Sequence, residues 1–115
     1  MSRVASDAHA GRRRQHAVAF AALGDETRLA LVTALSSGEP RSIAQLTGGS
    51  RLTRQAITKH LRVLEDVGIV RSVRSGREHL FEFHPQPMNE LREYLARVSE
   101  QWDQVLLRLQ AMVGG

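Results

Sequence analysis

The hydrophobic residues along this chain change their spacing several times, and each change marks an element. From Gln15 to Leu23, the apolar Ala17, Val18, Phe20, Ala21 and Leu23 predict a first helix, stopped by Gly24. Asp25 stands where an N-cap belongs, its carboxylate able to accept from the unpaired amides of a new first turn. The helix it opens carries Leu29, Val32 and Leu35 on one stripe and ends at Gly38. Ser42 and Gln45 then form the Ser-x-x-Gln pattern of a capping box, opening a short third helix. Leu46 completes its apolar face, and Gly48-Gly49 ends it.

Thr53 caps a fourth helix running to about Asp66, in which Ile57, Leu61 and Leu64 make a single buried stripe. The other face is polar. Gln55, Thr58, Lys59 and Arg62 follow one another at i, i+3, i+4 and i+7, with Arg54 ahead of them in the first turn. All can hydrogen-bond base edges or phosphates. Gly68 stops this helix.

Ile69 to Arg74 is rich in β-branched residues and predicts a strand, Ser75-Gly76 a turn, and Glu78 to His84 the returning strand. Arg74 and Arg77 flank the tip of this hairpin. A lone hairpin is marginal in water, so it has to lean on the helices. After Pro85 and Pro87 come Met88, Leu91, Leu95, Val98, Trp102, Val105, Leu109 and Met112, alternating strictly by three and four. That is a heptad seam. About 26 residues make a helix near 39 Å long, more than a domain of this size needs for its own core. A partner helix is the better explanation.

Composition narrows the chemistry. At 115 residues the chain supports one domain, and 42% hydrophobic content is ordinary for a globular protein. No apolar run approaches the ~20 residues of a bilayer span, and no apolar core like that of a secretory signal follows Met1; a cytoplasmic location without a membrane partner is expected. There is no cysteine, which excludes disulfides, thiolate metal sites and thiol switches. With only five aromatic residues, a base-stacking platform for single strands has little to work with. Net charge is +4, unevenly spread. Residues 51–79 carry seven cations against Glu65, Asp66 and Glu78, whereas residues 80–115 carry three cations against five anions. The basic centre suits a polyanion and the acidic end something else.

A short helix, a tight turn, a longer helix with a polar outer face and a basic hairpin make the winged helix-turn-helix plan. The expected fold is mainly α with a small β-hairpin, in the order α-α-α-α-β-β-α. Residues 1–14 are expected as a flexible basic tail, and residues 15–115 as one winged-helix domain whose last helix, about 88–113, serves dimerisation. An α-helix fits the major groove of B-DNA, where Arg pairs bidentately with guanine and Gln with adenine. Helix-turn-helix proteins read bases with the N-terminal end of the second helix, so Arg54 and Gln55 are the expected readers. Thr58, Lys59 and Arg62 are expected on phosphate or sugar, and Arg74 and Arg77 on an adjoining groove or backbone. The alternative is a winged-helix adaptor that docks proteins without binding DNA specifically. Such an adaptor would place apolar anchors on the face of residues 54–62, and none is there. Nothing like a nucleophile elbow, P-loop or dinucleotide fingerprint supports an enzyme.

Three stretches resemble the ArsR-type bacterial transcriptional regulators: Ala22-Leu23-Gly24-Asp25-Glu26-Thr27-Arg28-Leu29, Leu52 through Leu64 with its Thr-Arg-Gln-Ala-Ile-Thr-Lys-His-Leu run, and Gly68-Ile69-Val70. The resemblance runs from about Phe20 to Met112. It implies a homodimeric winged-helix repressor, joined through its first and last helices, with Arg54, Gln55, Thr58 and Lys59 facing the major groove of a palindromic operator. On that reading the interface comprises Phe20, Leu91, Leu95, Val98, Trp102, Val105 and Leu109. The chain departs from the metal-sensing members. It lacks their cysteines, and no histidine stands between Met88 and Val113. His9, His16, His60, His79 and His84 lie in separate elements without the converging donors that zinc needs, so no metal and no cofactor are expected. His60, beside Lys59, is expected to pack or touch phosphate. Arg51 stands where many members carry glycine in the turn. An effector, small molecule or protein, is left open.

Overall fold

Three side-chain caps set where the helices start. Asp25 Oδ2 accepts from the Arg28 backbone N–H at 3.0 Å and opens α2 (Glu26–Leu35), which follows α1 (Ser2–Leu23). Ser42 and Gln45 close a reciprocal capping box, Gln45 N–H to Ser42 Oγ at 3.2 Å and Ser42 N–H to Gln45 Oε1 at 2.9 Å, ahead of α3 (Ile43–Thr47). Thr53 Oγ1 accepts from Ala56 N–H at 3.1 Å and opens α4 (Arg54–Asp66). Each cap satisfies amides that a helix start leaves orphaned. The structure is a computed structural model that describes the backbone of residues 2–114 and the side chains of residues 9–114. Met1 and Gly115, the outer limits of the expected tail and domain, lie outside the described residues.

The end of α4 directs the chain into the sheet. Gly68 N–H donates to Glu65 O at 2.9 Å and Ile69 N–H to Leu64 O at 3.0 Å, with Gly68 at φ 79°. This is a Schellman end, which requires the left-handed conformation that glycine adopts without steric cost. It delivers Ile69 and Val70 to the core at the start of β2 (Val70–Ser75), which pairs antiparallel with β3 (Glu78–Phe83). A third strand, β1 (Arg41–Ser42), pairs with the other edge of β3, giving the order β1-β3-β2. The hairpin expected from sequence is thus part of a three-stranded sheet; two residues are too few to show an alternation.

The core is built from Leu31, Val32 and Leu35 of α2, Ile57, Leu61 and Leu64 of α4, and Ile69, Val70 and Phe81, closed by Ala19 and Ala22 of α1. The stripe of α4 is as the spacing predicts. That of α2 is not: Leu29 is 50% exposed, and Leu31 takes the buried place. Nearly every position of α2 after Arg28 is apolar, so its pattern leaves the rotational phase undetermined. Leu64→Ala empties a fully buried site and should cost about 2–5 kcal/mol, read as a lower urea midpoint at unchanged slope. A loss below about 1 kcal/mol would mean that the core collapses around the gap.

Two further differences concern local conformation. Residues 2–14, expected as a flexible tail, continue α1 without a break. Alanine and arginine are strong helix formers, and a missing apolar period signals only a missing buried face. Accordingly, none of residues 9–18 is buried. The hairpin turn falls at Gly76-Arg77 rather than Ser75-Gly76, because Ser75 is paired with Glu78. Gly76 at φ 63° takes the left-handed first position of a two-residue II′ turn, which puts Arg77 in the tip itself.

The chain divides into two compact units, the first ending at Pro85 and the second beginning at Gln86. The second holds all but the first residue of α5 (Pro85–Gly114), a 30-residue helix. Leu91 is buried, whereas Leu95, Val98, Trp102, Leu109 and Met112 of the same seam are exposed and Val105 is half-buried. Among the described residues no helix is long and apolar enough to cross a membrane.

Candidate nucleic-acid interface

With its stripe of Ile57, Leu61 and Leu64 fully buried, α4 has one orientation available, and its polar residues must face outward. Arg54, Gln55, Lys59 and Arg62 are exposed, and Thr58 is half-buried. Four of them, Arg54, Gln55, Thr58 and Lys59, line a shallow open groove of about 590 Å³ together with Ile43 at the start of α3. Arg62 lies a turn further along the helix, outside that groove. Ile43 was not singled out from sequence; the capping box at Ser42, which makes it the first helical residue, is the signal that could have found it.

Thr58 is the one site residue whose hydroxyl is already engaged. Its Oγ1 donates to Arg54 O, one turn back, at 2.7 Å. With its proton so used, its lone pairs and methyl group are what it leaves available to a ligand. The turn before α4 takes its left-handed step at Gly49, φ 78°, and no described non-glycine residue has positive φ. Arg51 consequently occupies this turn without the conformation that would call for glycine.

The hairpin is tied to α4 through Ser72, whose Oγ donates to Glu65 Oε2 at 2.6 Å. Arg71 is held across the sheet by Glu82, Nε to Oε1 at 2.7 Å. Arg74 pairs with His79 in the ladder, and Arg77 sits in the turn; both are exposed. Among the described residues, Arg54, Lys59, Arg62, Arg74 and Arg77 make no ion pair. Uncompensated cations on one helix and one hairpin tip have the chemistry for a phosphate backbone, and Arg54 and Gln55 carry donors of the kind that can pair with base edges.

His60 does not join this face. Its Nδ1 lies 3.2 Å from Arg28 Nη1 and 3.7 Å from Asp25 Oδ2, at the start of α2. These contacts hold the ring between α4 and the start of α2. Asp25's carboxyl is held below its usual range, chiefly by the hydrogen bond from the Arg28 backbone N–H, with desolvation opposing it and the Arg28 charge adding to it.

A capped helix-turn-helix followed by a basic hairpin defines a winged helix-turn-helix protein. Residues 23–73 match a family model described as a helix-turn-helix domain. The HTH-type transcriptional regulator YuzN of Bacillus subtilis is 40% identical over 78 residues, 63% of this chain and 85% of the relative. The HTH-type transcriptional regulator Rv2034 of Mycobacterium tuberculosis is 32% identical over 79 residues, 69% of this chain and 73% of the relative. Among solved structures, an ArsR-like transcriptional regulator from Rhodococcus superimposes with a TM-score of 0.77 at 35% identity, over 89% of this chain and 95% of that one. The chain belongs to the ArsR-type family of helix-turn-helix transcriptional regulators.

Proposed function

We propose that this regulator is a cytoplasmic homodimeric repressor that acts without catalysis, reading a palindromic operator in duplex DNA and blocking its promoter. The observation that carries the reading is the exposed, unpaired row Arg54, Gln55, Lys59 and Arg62 on a helix locked by its buried stripe. Arg54 and Gln55, in the first turn, read bases; Thr58, Lys59 and Arg62 contact phosphate and sugar; Arg74 and Arg77 reach the neighbouring backbone. The dimer forms through the seam of α5, whose exposed Leu95, Val98, Trp102 and Leu109 make an apolar stripe of the kind that monomers rarely leave open. Phe20 of α1 is the second contributor. Two-fold symmetry then sets the recognition helices roughly 34 Å apart, one turn of DNA. Footprinting on the DNA upstream of its own gene tests this. A symmetric protected site with half-sites one turn apart is expected, and no protection at low salt overturns it.

The hairpin is tested by salt. Each lost phosphate contact should shallow the log–log dependence of affinity on salt by about 0.9. The Arg74→Ala, Arg77→Ala double variant should therefore show a slope smaller by about 1.8 per subunit, with base preference intact. An unchanged slope would remove the hairpin from the interface.

A further inference from the structure

One guanidinium joins three helices of the first unit. Arg28 Nε donates to Ala22 O, and its Nη2 lies 3.5 Å from Ala21 O, which also accepts from Gly24 N–H, so it sits on the carbonyls at the end of α1. Its Nη1 reaches His60 Nδ1, in the middle of α4, at 3.2 Å. A guanidinium has donors only. For this contact to be a hydrogen bond, His60 Nδ1 has to accept, which requires a neutral ring with its proton on Nε2. Protonation would put an N–H on Nδ1, facing both a like charge and a donor. The other acceptor near Nδ1 is Asp25 Oδ2, at 3.7 Å, which also accepts the amide that caps α2.

The other elements around α4 bring little to compete. Within one turn of His60 on its own helix stand Ala56, Ile57, Val63 and Leu64, with Lys59 as the adjacent charge. Residues 17–23 of α1 and all of α3 carry no titratable side chain. From β2 come Arg71, paired with Glu82, and Arg74 near the hairpin tip. Asp25 and Arg28 are the charged groups that face the ring.

We propose that Arg28 and His60 are positioning residues that set the recognition helix against the end of α1, and that the neutral imidazole is the operator-binding form. The proposal rests on the reading of α4 as the DNA-reading helix. Because α1 also supplies Phe20 to the proposed dimer contact, the tie would carry the spacing of the two half-sites into the attitude of each α4.

Two measurements on the full chain test it. Two-bond 15N spectra of the imidazoles at pH 7.5, without DNA, should show His60 neutral with the proton on Nε2. A proton on Nδ1, or a charged ring, overturns the tie. Affinity for the footprinted duplex is then measured at pH 7.5 and 5.5, at one ionic strength, for wild type and His60→Asn. Asparagine offers an amide oxygen near the place of Nδ1 and does not titrate. Relative to this variant the wild type should lose affinity on acidification. Thermal midpoints at both pH values check folding, and His60→Gln replaces the asparagine variant if that fails to fold. Equal pH dependence in wild type and variant overturns the switch alone. Absence of duplex binding by the wild type at both pH values overturns the reading of α4, and the switch with it.

Discussion

Leu95→Glu should yield a folded monomer that no longer protects the operator. Leu95 stands in the middle of the α5 seam and is 49% exposed in the single chain. A glutamate there costs the lone protomer little, since the carboxylate stays in water. In a dimer the same carboxylate would be buried without a partner. Such burial costs about 3 kcal/mol or more, roughly a hundredfold or greater in the dimer dissociation constant. Sedimentation equilibrium reads that change directly, and circular dichroism with a thermal midpoint shows whether the protomer still folds. DNA binding supplies a second readout. A monomer engages one half-site, so both its affinity and the slope of its salt dependence should fall, the slope to about half. If the variant sediments as a dimer and still protects both half-sites, the interface lies elsewhere, with Phe20 of α1 as the next candidate. Val98→Glu, one seam position further on and also exposed, gives an independent check.

Arg54→Ala or Gln55→Ala should cost roughly 1–3 kcal/mol at the operator, about 5- to 150-fold in affinity, and relax preference at particular base pairs. Both residues lie in the first turn of α4 and both line the groove shared with Ile43. Truncation at exposed positions leaves the buried stripe untouched, so stability should change by less than about 0.5 kcal/mol. Competition titrations with operators altered one base pair at a time read the loss. A base reader gives a variant that no longer distinguishes the bases at one position. Were affinity for the operator and for random duplex to fall equally, Arg54 and Gln55 would be phosphate contacts instead. Lys59→Ala is the internal contrast, expected to weaken specific and random duplex alike and to shallow the salt slope by about 0.9.

Much of this fold was legible because its signals are local. A cap involves residues three apart, and Asp25, Ser42 with Gln45, and Thr53 each bond the backbone their spacing predicts. Gly68 is placed at a helix end for the same reason. On α4, apolar residues alternate with polar ones sharply enough to define the buried stripe and, with it, the outward row of the candidate site.

Other features depended on partners distant in sequence. The pairing of β1 with β3 joins Arg41 to Phe81 across a gap that no short window spans. The hairpin tip shifted by one residue because cross-strand register, and not the Ser-Gly dipeptide, decides which two residues stay unpaired.

The sequence by itself determined where the helices begin, which face of α4 points outward, and that the last helix carries an apolar seam. Each follows from interactions within one or two helical turns, where side-chain spacing and backbone geometry are set by neighbouring residues. Only the tertiary structure decided that α2 buries Leu31 in place of Leu29, and that the hydroxyl of Thr58 turns back to its own helix. It alone decided, too, that His60 lies against Arg28, 32 residues away. A nearly all-apolar helix has no preferred rotation until neighbours surround it, and an imidazole has no assigned role until the chain brings it a donor.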